Sequence, residues 1–198
     1  MEKGIIQKIF GYYFTKPQFK EEVLNAIRKF FNKPDLDIGT ESKLELKESD
    51  EEKFNEWFIF DFRFKNGKTP LEDFCERNPY NFNQIRLQTY KDLQENFYGI
   101  YEVLEVRTSS GLTLENIQTG KTYKIKEFLG TFETKEGEIL FGRVGKVGDH
   151  YELVGSNSIK LPIEVAQSAK KIFRKSKDKF NPKIVRDLFF KKEKHPED

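Results

Sequence analysis

Along the first half of the chain, apolar residues recur at helical spacing. Ile5, Ile6, Ile9, Phe10 and Tyr13 fall on one face of a helix. Pro17 predicts a stop and restart there, because proline lacks an amide donor and crowds the preceding turn. Phe19, Val23, Ile27 and Phe30 mark a second helix. The run FNEWFIFDFRF is so dense in aromatic residues that its helix, with Phe54, Trp57, Phe58 and Asp61, is expected to be buried on more than one face. Thr69, Pro70 and Glu72 form a helix-start signal: a capping hydroxyl and carboxylate bracket a proline whose missing amide costs nothing in the first turn. Leu71, Phe74 and Cys75 supply that helix's stripe, Asn78-Pro79 ends it, and Ile85, Leu87, Tyr90, Leu93 and Phe97 predict one more helix running up to Gly99. Residues 1–97 therefore read as a mainly helical unit, broken by a turn-rich stretch around 32–49 that holds one short strand candidate, KLELK.

At Tyr98 the period changes from helical to alternating, and turn signals (SSG, QTG, KEG, VGD, GSNS) recur roughly every ten residues. Residues 98–162 predict a small antiparallel β-barrel of SH3 or OB size, with Gly120 at positive φ in a tight Thr119-Gly120 turn. Helical spacing returns after Pro162 with Ile163, Val165, Ala166, Ala169, Ile172 and Phe173. Asn181-Pro182 then opens a last helix carrying Ile184, Val185, Leu188 and Phe189. Residues 163–198 read as a basic helical C-terminal extension, and the fold class is α+β.

Composition adds bounds. The 198 residues include 20 Phe, enough apolar material for a buried core, while 35 Lys+Arg nearly balance 33 Asp+Glu. The chain as a whole lacks the basic field of a dedicated nucleic-acid binder. The excess sits at the end: Lys+Arg minus Asp+Glu is 16 − 18 = −2 for 1–97, 8 − 9 = −1 for 98–162 and 11 − 6 = +5 for 163–198. A single cysteine, Cys75, precludes an intrachain disulfide and fits a reducing compartment. No apolar run approaches the roughly 20 residues that span a bilayer, so a cytoplasmic protein with no membrane partner is expected.

The run FNEWFIFDFRFKNGKTPLEDF, followed by YGIYEVLEV and GLTLENIQTGKTYKI, resembles a group of uncharacterised bacterial proteins that often carry a SEC-C zinc-binding tail. The residues that carry it are Trp57, Phe58, Asp61, Gly67-Lys68-Thr69, Leu71, Phe74, Tyr101, Thr119, Gly120 and Gly142, spanning roughly 54–162. The resemblance implies an arrangement, helices followed by a small barrel, and supplies no reaction. With Cys75 alone and two histidines, the chain lacks the multi-cysteine site of a SEC-C tail, and zinc-mediated partner binding is not carried over.

Three constellations bear on chemistry. Pro34-Asp35 followed by Glu45-Leu46-Lys47 spells a PD…ExK pattern, in which Asp35 and Glu45 would hold Mg²⁺ and Lys47, on the same strand face, would position the attacking water. A 34% charged chain generates ExK readily, and the bland reading is a solvated hairpin. Lys170, Lys171, Arg174, Lys175, Lys177 and Lys179 interleave with Phe173 and Phe180, as in a surface that holds phosphates and stacks bases; the bland reading is a lysine-rich helix face. Tyr98, Tyr101, Tyr123 and Tyr151 would form an aromatic platform on the barrel or else part of its core. His150, at a hairpin tip, and His195, in the tail, do not suit acid–base work, and Asp61 reads as a paired structural carboxylate. No metal-ligand set or cofactor signature is present. The leading expectation is a non-catalytic binding or adaptor protein with a macromolecular partner, nucleic acid or protein, with a metal-dependent nuclease as the alternative from a different class.

Overall fold

The computed structural model describes residues 4–36 and 48–190. They form an α+β chain of seven helices and five strands: α1 (Ile5–Thr15), α2 (Lys20–Phe31), α3 (Glu48–Phe60), α4 (Pro70–Arg77), α5 (Gln84–Asp92), β1 (Asn96–Arg107), β2 (Gly111–Asn116), β3 (Thr122–Lys126), β4 (Ile139–Val147), β5 (His150–Leu161), α6 (Ile163–Lys175) and α7 (Pro182–Phe190). Short 3-10 turns stand at Pro17–Phe19 and Leu129–Phe132. The chain divides into two compact units, one of Glu2–Tyr90 with Pro182–Asp198 and one of Lys91–Asn181. The expected C-terminal extension 163–198 is thus split, with α6 belonging to the barrel unit and α7 to the helical one.

The helical unit is built around α3. Phe54, Trp57, Phe58, Ile59 and Phe60 are all buried, along with Lys53 and Glu56, so this helix has core on most of its circumference, as its composition predicts. Phe58 lies within ring-to-ring distance of Phe10 (6.3 Å), Tyr13 (6.1 Å), Phe14 (5.5 Å), Phe54 (5.9 Å), Phe62 (5.8 Å) and Phe64 (6.1 Å), mostly edge to face. That geometry sets the positive ring edge against a neighbour's negative face. The Thr69 cap forms fully: its hydroxyl accepts from the Glu72 amide (3.2 Å) and the Glu72 carboxylate accepts from the Thr69 amide (2.7 Å).

Asp61 is half-buried at the end of α3, not a core carboxylate, and Arg63 turns to Glu72 (3.4 Å) and the Gly67 carbonyl (2.7 Å). A buried carboxylate with its partners close at hand is Asp73, on α4. It accepts from the Tyr13 hydroxyl at 2.8 Å and the Arg77 guanidinium at 2.5 Å. Burial, reinforced by that carboxylate, pushes the Tyr13 phenol well above its usual range, so it stays a donor that ties α1 to α4.

The five strands are hydrogen-bonded in the order β1-β2-β3-β5-β4, with β4 returning to β1, and the sheet closes on itself. All pairings are antiparallel except β3 with β5. The purely antiparallel expectation is corrected by that closure: β3 and β5 run the same way because the β3–β4 connection crosses the end of the barrel before β4 starts. Alternation puts Tyr101, Val103, Leu112, Leu114, Tyr123, Ile125, Leu140 and Val144 inside. Gly111 is required by closeness, since a Cβ there would meet the Ile125 carbonyl oxygen at 2.1 Å. Helix α5 ends at Asp92, and Phe97, expected on a helix, lies in β1.

Candidate binding site

The basic segment loses its aromatic half. Phe180 is buried, and Phe173 is half-buried; their rings sit 6.3 Å and 5.4 Å from buried Phe141 and 5.8 Å from each other. Phe141 pairs between Ile100 and Ile159 and points out of the barrel wall, opposite in alternation to Leu140. Helix α6 is what covers it, so these rings are occupied by core packing and cannot stack on bases. Two of the six cations are also engaged: Lys170 pairs with Glu102, and Arg174 lies 3.7 Å from Glu115. Gln118 fastens the following segment by donating to the Ser176 and Asp178 carbonyls, both at 3.0 Å. Lys171, Lys175, Lys177 and Lys179 remain exposed.

The tyrosine platform does not form. Tyr101 and Tyr123 are buried, and the Tyr101 hydroxyl donates inside the barrel to the Phe97 carbonyl at 2.7 Å. Tyr98 is half-buried with the Arg143 guanidinium 5.4 Å from its ring. Tyr151 is half-buried and donates to Glu95 at 2.5 Å. That bond holds the Glu95 carboxyl below its usual range and pushes the Tyr151 phenol up to about 12. His150 lies half-buried between Asp149 and Glu152, 3.0 Å from each, and holds the Asp149 carboxyl below its usual range.

Of the PD…ExK pattern, Asp35 is an exposed turn residue, while Glu45, Lys47 and the KLELK strand lie outside the described residues, as does His195. Among the described residues no group of three or more His, Cys, Asp or Glu side chains is arranged to hold a metal ion, and no helix is long and apolar enough to cross a membrane.

The arrangement that sequence reasoning missed is the β3–β4 connection, residues 127–138. Its 3-10 turn presents Phe128, Leu129 and Phe132 to solvent at 56%, 74% and 60% exposure. These large side chains are not on a loose loop. The Glu127 carboxylate accepts from the amides of Phe128 (2.9 Å) and Gly130 (3.0 Å). Thr131, buried, donates to the Phe128 carbonyl (2.7 Å) and accepts from the Ser109 amide (3.0 Å), which ties the turn to the β1–β2 connection. Thr134 donates to the Gly130 carbonyl (2.7 Å), and the Lys160 ammonium of β5 donates to the Glu133 carbonyl (2.9 Å) and the Thr134 hydroxyl (3.1 Å).

Below this lip opens a cleft of about 520 Å³. Its floor is barrel interior, Leu112, Leu140 and Leu153, Val154 lies at its edge, and its polar rim is Glu127, Glu133, Thr134 and Lys160. The cleft exists because the sheet closes weakly there. Among the described residues β3 and β5 share one parallel pairing, Ile125↔Tyr151, and β5 shifts register against β4 just beyond Val154. A faint signal was readable: FLGTF sets three bulky apolar residues around a glycine, which suits the interior of neither strand nor helix.

No family model, curated protein or solved structure matches this chain.

Proposed function

We propose that the chain is a non-catalytic intracellular binding protein, and that the barrel takes its partner at the cleft and the lip above it. The strand order, the parallel β3–β5 closure and a helical turn in the β3–β4 connection support reading the barrel as an OB-type module. Fold type does not name a ligand, so the function is argued from the site. The connections through which OB barrels commonly grip oligonucleotides are minimal here, Thr108–Ser110 and Gly148–Asp149. Elaboration is concentrated instead in residues 127–138.

One observation carries the reading: Phe128, Leu129 and Phe132 face water while the turn that bears them is fastened by hydrogen bonds of the Glu127, Thr131, Thr134 and Lys160 side chains. Exposed apolar clusters mark interaction sites, and a lip already held in one conformation loses little freedom on binding. Cross-linking in cell extract through Lys126, Lys135 and Lys160 tests this. Partner cross-links should concentrate on these three lysines, which flank the lip, and disappear in Leu129→Asp and Phe132→Asp. Retention of the same partners by both variants would sink the reading.

A second reading, nucleic acid, is favoured by the exposed Lys171, Lys175, Lys177 and Lys179. It predicts retardation of DNA or RNA that falls steeply with salt as counterions are released. Replacing these four lysines by glutamate should abolish it. Point substitution is the right tool, since deleting 163–198 would also strip the cover from Phe141 and remove α7.

A further inference from the structure

The inference concerns the partner's chemistry and rests on the barrel being a binding module. Strand β3 is paired with β2 from Thr122 to Lys126, but on its other edge Ile125↔Tyr151 is the pairing present among the described residues. Glu127, which directly follows β3, and Val154, Gly155 and Lys160 of β5 line one and the same cleft. The cleft therefore sits where the seam between two neighbouring strands gives out, with main chain on either flank and Leu112, Leu140 and Leu153 beneath.

Charge narrows the choice. Residues 127–138 carry Glu127, Glu133, Glu136 and Glu138 against Lys135, 1 − 4 = −3. The one cation on the rim, Lys160, points its ammonium at the Glu133 carbonyl and Thr134 hydroxyl. A phosphate backbone would meet carboxylates here, and a small neutral ligand confined to the floor would leave Phe128 and Phe132, which do not line the cleft, in water.

We propose that the seam and its lip take a short extended peptide with one bulky apolar side chain flanked by lysine or arginine. The peptide backbone adds to the strand edge, the apolar residue enters the floor against Leu112 and Leu140 under Leu129, and the basic neighbours face Glu127 and Glu133. This is strand addition, in which main-chain hydrogen bonds supply affinity and alternate side-chain pockets supply selectivity. A volume of about 520 Å³ suits it, within the roughly 300–1,000 Å³ of ordinary ligand sites.

The probe is a random-sequence library of strand-length peptides selected on the full chain, with winners measured by fluorescence anisotropy. Enrichment of Leu, Ile or Phe at one position with Lys or Arg beside it is expected. Glu133→Lys should weaken those winners by about tenfold and more steeply at low salt, since exposed charge pairs are salt-screened, and a selection repeated on that variant should lose the basic preference while keeping the apolar position. Leu129→Asp should abolish binding of all winners, with its folding checked by circular dichroism. Winners with an apolar anchor and no basic preference, or unmoved by Glu133→Lys, overturn this inference and leave the binding-module reading standing. Winners indifferent to Leu129→Asp, or none at all alongside lysine-dependent retention of RNA or DNA, overturn both.

Discussion

The helical unit and the barrel use aromatic and charged side chains in opposite ways. In the helical unit rings meet rings, as around Phe58, and the buried carboxylate of Asp73 is consumed by Tyr13 and Arg77. The barrel keeps Tyr101 and Tyr123 inside and turns Phe128, Leu129 and Phe132 out, with its glutamates beside them. A buried, satisfied polar group holds a fold together; an apolar surface that no described residue covers is, in the function proposed above, what a partner would meet. Bulky apolar side chains of one type thus fill the core of one unit and form the exposed lip of the other.

Substitutions test that division. Phe58→Ala should cost about 3–5 kcal/mol, as expected for emptying a fully buried aromatic site. Trp57, the single tryptophan, packs in the same core and reports the loss in urea unfolding. A cost below 1 kcal/mol, on the order of a surface change, would break the assignment. Gly111→Ala should destabilise the barrel by about 2 kcal/mol through backbone displacement at Ile125, read as faster amide exchange in β2 and β3. Gly120 has φ of 70°, so Gly120→Val should cost about 1–2 kcal/mol from a β-branched residue in the left-handed region; an unchanged melting temperature would contradict it.

Alkaline pH gives a smaller effect. The Tyr151 phenol is raised from 10.0 to about 12, so its contribution is complete below pH 10 and is lost as pH rises toward 12. Glu95 has the opposite sign: its lowered carboxyl contributes above the ordinary carboxylate range and is lost on acidification. Tyr151→Phe should reduce the alkaline loss in melting temperature without removing it, because the buried Tyr13 and Tyr101 phenols are raised as well and lose in the same direction; an unaltered slope would show that those two carry it. Smallest of all, Leu129→Asp should leave stability within about 0.5 kcal/mol, as for other exposed positions. A large loss would make the lip structural and remove its claim to recognition.

Legibility in the sequence followed range. The Thr69 cap, the stop before Pro17 and the positive φ at Gly120 are local events, set by residues within a turn of one another, and each stands where its residues put it. The parallel closure was not legible because it joins β3 to β5 across an intervening strand through Ile125 and Tyr151, which alternate like any other strand residues. Phe173 and Phe180 read as free to stack because nothing near them in sequence reveals that Phe141 points out of the barrel wall. The lip was missed for the converse reason: three bulky apolar residues among strands look like core, and only burial separates a core phenylalanine from one left in water.

The division of the chain has a consequence for how it is made. Residues 91–181 are contiguous, whereas the helical unit draws on both ends: Arg186 of α7 lies over the rings of Phe30 (5.5 Å) and Phe31 (5.1 Å) and pairs with Asp50 (3.1 Å). Synthesis proceeds from the N-terminus, and domains generally fold as their residues emerge. Here the order inverts: the barrel's strands are all made while α1–α5 still wait for α7. During that interval Phe30, Phe31 and Asp50 lack the partner that covers them, and the nascent helices are the part most exposed to chaperones and proteases.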